Sequence, residues 1–221
     1  ALICKNNDIN EDSNYCFGEG GAGTFSDGKL FTRSTKKGNI DEVLQLLNYF
    51  GAKEEIMYQT HDHIWSDCLS RIVKNIREQI IKCGGEYLFE TKVEDFIVKD
   101  NTVLGVITNN GDEIMAEKTI LATGHSARDI YELFYEKGWQ IEAKPFAMGV
   151  RIEHPQELIN ESQYHNINYS HLLPPATYSL TFNNKDRGIY SFCMCPGGII
   201  VPSSDRNNAM VVNGMSNSSR S

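Results

Sequence analysis

The feature that most constrains the fold of this chain is a change of hydrophobic period at Gly84-Gly85. Before the two glycines, apolar residues recur at helical spacing; after them they alternate or run continuously, as strands do. Two helices are legible on the first side. Asn39 can cap a helix with Glu42 at its third position, a capping-box arrangement. Ile40, Val43, Leu44, Leu47 and Phe50 then share a face, and Gly51 can end the helix. A second helix runs from near Ser66 to Cys83, with Leu69, Ile72, Val73, Ile76 and Ile80 as its apolar stripe. Lys82 complements the dipole at its C-terminal end.

On the far side, "EYLFE" reads as a short strand. "VEDFIVK" and "TVLGVIT" are joined by Asp100-Asn101, a tight two-residue connection, and Asn110-Gly111 marks the turn into "EIMA". This is a small antiparallel meander. "KTILATGH" is continuously apolar and stops at Gly124, which suits a strand buried in a parallel position. "SARDIYELFYEKG" is helical, with Ile130, Leu133 and Phe134 on one side. From Lys144 onward the pattern is strand-like and irregular: "KPFAMGVRIEHP", "ATYSLTFNN", "GIYSFCMCPGG", "GIIVPSS" and "AMVVNGMS". The chain is therefore expected to be mixed α/β, with a meander and a second, β-rich unit.

Composition narrows the functional classes. The chain has 221 residues, 40% hydrophobic and 23% charged, values that suit a globular protein with a real core. Twenty-one basic residues against 29 acidic ones give a net charge of -8, with no basic stripe, which disfavours a nucleic-acid partner. No apolar run is long enough to span a membrane, and the first residues lack the basic start and apolar stretch of a signal peptide. Six scattered cysteines, Cys4, Cys16, Cys68, Cys83, Cys193 and Cys195, read as reduced thiols in a cytoplasm.

Gly18 to Gly23, "GEGGAG", spells the dinucleotide fingerprint G-x-G-x-x-G. The fingerprint needs a strand before it, a helix opening inside it, and an acidic residue about 20 positions later. "TFSDGKLFTRSTKKG" is a poor helix interior, and Asp41 and Glu42 belong to the first turn of a helix with no strand before them. The loop is better read as a different glycine-rich segment, one whose backbone approaches something flat or anionic, with Ser26, Asp27 and Lys29 able to add contacts.

Four blocks, "NYCFGEGGAGTFSDGKLFTR", "TILATGHSARDIY", "KPFAMGVRIEHPQ" and "YSFCMCPGG", together resemble the bacterial FAD-dependent dehydrogenases, also called NAD(FAD)-utilising dehydrogenases, whose FAD domain is like that of glutathione reductase. The resemblance covers nearly the whole chain in the family's order. It implies an FAD domain with a β-meander crossover and an inserted substrate domain. On that frame, residues 1–124 are a partial FAD-binding domain, 125–195 the inserted β-rich substrate domain, and 196–221 the return toward the FAD domain. The implied cofactor contacts are Gly18, Glu19, Gly20, Gly21, Ala22, Gly23, Ser26, Asp27 and Gly28 along the cofactor's middle. Val93 stands where the adenine is held through backbone atoms, and Ala122, Thr123 and Gly124 form the ATG motif at a strand end. FAD is the implied cofactor, and NAD(P)H a candidate electron donor. Because the family's first strand, fingerprint turn and helix should precede Gly18, and only 17 residues do, the chain reads as an internal fragment. The whole protein is then expected to be yellow, and this chain alone colourless or weakly coloured.

His125, Arg151, Cys193, Cys195, Pro196 and Gly197 are the candidates for lining the flavin or substrate. His125 follows the ATG motif and could equally cap the next helix. Arg151 and Glu153 share one strand face and His154 takes the other; Arg151 could fix an anionic substrate or make a surface ion pair. Cys193-Met-Cys195 reads as a buried pair of thiols before a turn, more suited to lining the cofactor than to thiol chemistry. His61-Asp62-His63 lacks further ligands at metal spacing, so no metal is expected. No catalytic acid or base can be assigned, and flavin chemistry does not require one. The leading expectation is a portion of a cytoplasmic FAD-dependent oxidoreductase acting on an unidentified small molecule, with no membrane partner and no oligomeric state assigned. The alternatives are a non-catalytic binding module, or inactive remnant, of the flavoprotein fold, and a tRNA-modifying flavoprotein, which the acidic balance disfavours.

Overall fold

The computed structural model describes residues 9–25, 30, 38–58, 64, 66–165, 172–191 and 194–216. Four α-helices lie among them: α1 (Ile40–Tyr49), α2 (Ser66–Lys82), α3 (Arg128–Glu136) and α4 (Gln156–Tyr164). The strands are β1 (Val93–Lys99), β2 (Thr102–Thr108), β3 (Glu113–Met115), β4 (Thr181–Asn183), β5 (Gly188–Tyr190), β6 (Ile199–Pro202) and β7 (Val212–Met215). They form one three-stranded sheet, β1-β2-β3, and two hairpins, β4-β5 and β6-β7. The mixed α/β class and the meander stand. Every strand pairing among the described residues is antiparallel.

Local chemistry accounts for the elements that the sequence anticipates. Asn39 Oδ1 accepts from the Asp41 N–H at 3.1 Å, and Asn39 Nδ2 donates to Glu42 Oε1 at 3.0 Å. The capping pair therefore meets side chain to side chain at the start of α1. Asp100 and Asn101 both take left-handed conformations, φ 50° and 58°, which are the two central residues of a type I′ turn. That turn matches the twist of β1 and β2. Strand β2 is bonded on both edges, and Gly105 is needed there, because an added Cβ would sit 2.2 Å from the Ile114 carbonyl oxygen on β3.

The chain divides into two compact units, Ala1–Ile76 with Gly149–Ser221, and Arg77–Met148. The core of the first is Ala52, Ile56, Ile64 and Ile72, flanked by Leu44, Leu47, Phe50 and Leu69. Val43 lies outside this face and is exposed. In the same unit Ile159 on α4 and Ala176 are also buried. Asn160 Oδ1 accepts from the Ala176 N–H at 2.9 Å and so ties α4 to the loop that follows. In the second unit α3 packs on β1 through Phe96, whose ring lies 5.8 Å from that of Phe134 and 5.6 Å from that of Trp139. Lys137–Asp95, at 2.6 Å, and Lys92–Asp129, at 3.2 Å, brace the same packing.

Three expected strands are absent. Residues 86–90, 118–125 and 144–155 are irregular or extended without ladder partners. Their apolar side chains lie open to solvent: Leu88, Phe89, Ile120, Leu121, Phe146, Met148, Val150 and Ile152 are all exposed. The physical reason is shared. An apolar run suits a strand covered on both faces and bonded on its edges, and no such layer is present among the described residues. Ile80, expected on the buried stripe of α2, is exposed as well. Helix α4, conversely, was not expected. It follows Pro155, a residue compatible with a helix start, and its apolar pattern is weak, with Leu158 exposed and Ile159 buried.

Candidate functional site

The first half of the glycine loop is a tightly wound turn. Gly18, Gly20 and Gly21 have φ of 99°, 81° and 57°, a left-handed run that residues with a Cβ rarely adopt. The Gly21 N–H donates to the Gly18 carbonyl at 3.0 Å, and a 3-10 turn, Gly21–Phe25, follows. Among the described residues of the loop, 18–25, no α-helix opens, so the fingerprint reading fails there on structure as it does on context. The Thr24 hydroxyl donates to the Glu19 carbonyl at 3.3 Å and folds back over the turn.

The glycines are not equivalent. A Cβ on Gly20 would lie 2.0 Å from Thr24 Oγ1 and 3.3 Å from Val73 Cγ2 on α2. Gly20 therefore serves the packing of the loop on itself and on that helix. A Cβ on Gly18 or Gly23 would meet nothing within 4 Å. At Gly18, which also has φ 99°, another molecule could approach the backbone closely.

The loop is held at its leading end by Asn14, a buried residue that the sequence reading did not single out. Its Oδ1 accepts from the Cys16 N–H at 2.9 Å, and its Nδ2 donates to the carbonyls of Asn10 and Asp205, each at 3.0 Å. An Asn in "EDSNY" looks like ordinary loop composition, and the 191-residue separation of its partner leaves no local signal.

Within the same unit Cys195-Pro196-Gly197-Gly198 forms a reverse turn. The Gly198 N–H donates to the Cys195 carbonyl at 2.9 Å, Gly197 has φ 71°, and Pro196 is buried. Proline followed by a left-handed glycine is the type II pattern. The turn leads directly into β6. Arg151 grips the β6-β7 hairpin: its Nε donates to the Val212 carbonyl at 3.2 Å and its Nη2 to Asn213 Oδ1 at 2.9 Å. Glu153 accepts from the Ile200 N–H on the facing strand. These two side chains share a face, as their spacing suggests. His154 points elsewhere, with Nε2 3.0 Å from the Tyr178 hydroxyl. Arg151 thus has backbone and amide partners in place of the surface ion pair considered from sequence.

The second unit carries the remaining candidates. Val93 opens β1 opposite Thr108. Ala122, Thr123, Gly124 and His125 are exposed, with Gly124 at φ 80° and open space where a Cβ would be. His125 does not cap α3; the cap position is Ala127, without a side-chain bond. One carboxyl in this unit is perturbed. The hydrogen bond from Lys137 holds Asp95 below the usual carboxylate range; desolvation opposes the shift, and the Phe96 N–H and the lysine's charge add to it. A shallow depression of about 300 Å³ on α3 is lined by Tyr131, Glu132, Tyr135, Glu136 and Ile141, none of which is an expected site residue.

Ser26, Asp27, Gly28, Lys29, Cys193, His61, Asp62 and His63 lie outside the described residues. Among the described residues there is no group of three or more His, Cys, Asp or Glu placed to hold a metal ion. No described helix is long and apolar enough to cross a membrane.

Comparison with known proteins bears on this geometry from two sides. Residues 145–221 match the family model described as FAD-dependent protein, C-terminal domain-like, and residues 70–171 match that of glucose inhibited division protein A. A protein of Clostridium beijerinckii named only as an uncharacterized protein is 48% identical over 215 residues. The match takes in 96% of this chain and 40% of that protein, so the chain spans about 40% of the length of the curated relative it matches. The two family matches support an FAD-dependent, oxidoreductase-like family.

Proposed function

We propose that this chain is part of an FAD-dependent oxidoreductase and that its glycine loop lies against the middle of the bound cofactor. The observation that carries the reading is the left-handed glycine turn at Gly18, Gly20 and Gly21, in which a Cβ on Gly18 would meet nothing within 4 Å. The two FAD-related family matches support it. Bound FAD supplies hydride or electron transfer, so the work of the protein is binding, orientation and exclusion of water.

In this reading Gly18, Glu19, Gly20, Gly21, Ala22 and Gly23, with Ser26, Asp27 and Gly28, line the cofactor's central portion. Gly18 makes the close approach and Gly20 keeps the turn wound. Val93 stands where the resemblance implies backbone contact to the adenine, and Ala122, Thr123 and Gly124 stand where it implies a motif beside the cofactor. His125, Arg151, Cys193, Cys195, Pro196 and Gly197 border the flavin or a small-molecule substrate. Arg151 does so by holding the β6-β7 hairpin, since its guanidinium already bonds Val212 and Asn213. Residues 1–124 and 196–221 belong to the FAD domain and 125–195 to the substrate domain. The electron donor is a nicotinamide nucleotide, and the compartment is the cytoplasm.

The test is spectroscopic. The full natural protein should purify with a flavin absorption band, and the 221-residue chain alone should be colourless or weakly coloured. Gly18→Val in the full protein should weaken flavin binding at least about tenfold, because a branched side chain in a left-handed position both strains the turn and fills the open face. A full protein that takes up no FAD on reconstitution would overturn the reading. A flavin that binds but stays oxidised with NADH and NADPH would favour the non-catalytic binding module.

A further inference from the structure

Asn14 is the point where the glycine loop and the C-terminal hairpin are joined. It is 5% exposed, and both ends of its amide are used. Toward the loop, Oδ1 takes the Cys16 N–H at 2.9 Å, and the Asn14 carbonyl takes the Phe17 N–H at 3.3 Å, one residue before Gly18. Toward the hairpin, Nδ2 donates to the Asp205 carbonyl at 3.0 Å. Beside it the Ile9 N–H donates to Asn207 Oδ1 at 3.0 Å, a second strut to the same connection.

That connection, residues 203–211, joins β6 to β7 and is itself braced. The Ser203 N–H donates to the Val211 carbonyl at 2.9 Å, and the buried Ser204 Oγ accepts from the Val211 N–H at 3.1 Å. Arg151 holds the first residues of β7, and the Cys195-Pro196-Gly197 turn enters β6. An unbroken series of hydrogen bonds and short chain segments therefore runs from the glycine loop through Asn14 and Asp205 to the hairpin that Arg151 grips and that the Cys195-Pro196-Gly197 turn enters. A buried amide is costly to disturb, since each partner it loses stays shielded from water.

We infer that Asn14 is a positioning residue that locks the glycine loop to the β6-β7 hairpin. It acts on a bound flavin only through the loop, and that part rests on the function proposed above. The coupling of loop to hairpin stands without it.

The experiment uses Asn14→Ala and Asn14→Asp in the full natural protein, followed by amide hydrogen exchange and by FAD titration. Asn14→Asp keeps the shape and loses the donor. Asn160→Ala is the control, because Asn160 anchors the Ala176 N–H in the same unit by a bond of the same kind. Both Asn14 variants should raise exchange at least about tenfold at residues 16–23 and also at 203–211, and should weaken FAD by a similar factor. Asn160→Ala should raise exchange at residues 172–178 and leave FAD affinity within about twofold. Unchanged exchange at 203–211 in the Asn14 variants would overturn the inference. So would an equal loss of FAD affinity in Asn160→Ala. If the unsubstituted protein binds no FAD, the proposed function fails, while the exchange data still decide the coupling. Should the Asn14 variants not fold, Asn207→Ala removes only the acceptor for Ile9. It should raise exchange at residues 9–23 a few-fold, and no change there would sink the inference.

Discussion

Strand β2 reads "TVLGVIT", and residues 118–124, a few positions later, read "KTILATG". The two strings have similar chemistry: threonines, branched aliphatics, a leucine and one glycine. Their fates differ. Strand β2 is bonded to β1 on one edge and β3 on the other, and Thr108 at its end is 2% exposed. Residues 118–124 have no ladder, and Ile120 is 90% exposed. A strand-forming sequence states a readiness to pair; the partner edge, supplied in β2 by two short turns, makes the strand. Where the partner is distant in sequence, or lies in other parts of a longer protein, the same composition stays open.

The contrast can be broken most forcefully from the packed side. Phe96→Ala removes the ring on which Phe134 and Trp139 rest and should cost about 3–5 kcal/mol, read as a lowered urea midpoint for residues 77–148. Gly105→Ala should cost about 1–3 kcal/mol, because the new methyl meets the Ile114 carbonyl and must push β3 away. Loss of exchange protection at Ile114 and Ala116, whose N–H groups face β2, would identify that cause. The Asp95–Lys137 pair is a smaller lever, worth about 0.2–1 kcal/mol for partly exposed partners. Asp95 is held below its unfolded value, so the pair's contribution is complete above about pH 4 and fades as pH falls through the lower folded value. Asp95→Asn should therefore destabilise at neutral pH and converge with the parent in acid; a constant gap would rule out the charge as the cause. The smallest effect belongs to the open segment. Ile120→Ser should change the stability of the 221-residue chain by less than about 0.5 kcal/mol. In the full natural protein a cost of about 2 kcal/mol or more would reveal a layer lying over it.

Legibility in the sequence follows the range of the forces involved. The start of α1 could be read because Asn39 and Glu42 solve a problem three residues wide. The meander could be read because Asp100-Asn101 and Asn110-Gly111 fix their turns locally, and α3 because Ile130, Leu133 and Phe134 repeat at helical spacing. The left-handed glycines at Gly18, Gly20 and Gly21 are visible as composition, whereas the different duties of Gly20 and Gly18 depend on Thr24 and Val73, and only the fold brings Val73 beside the loop. Asn14 and Arg151 were illegible in their actual bonds for one reason: their partners, Asp205 and Val212, are 191 and 61 residues away. Helix α4 escaped notice because only Ile159 of its residues is deeply buried, which leaves too faint a stripe to count.

The bond between Asn14 and Asp205 also has a consequence for the order in which the chain acquires its structure. The unit containing both is discontinuous, with residues 77–148 between its two parts, whereas Arg77–Met148 is a single continuous stretch. During synthesis the ribosome delivers Asn14 191 residues before Asp205, so the anchor of the glycine loop cannot close until all the chain between them has emerged. The continuous stretch, rich in neighbouring-strand contacts, is free to fold before that moment. Translation arrested after residue 148 should therefore yield a nascent chain in which the meander resists protease while the glycine loop is still cut.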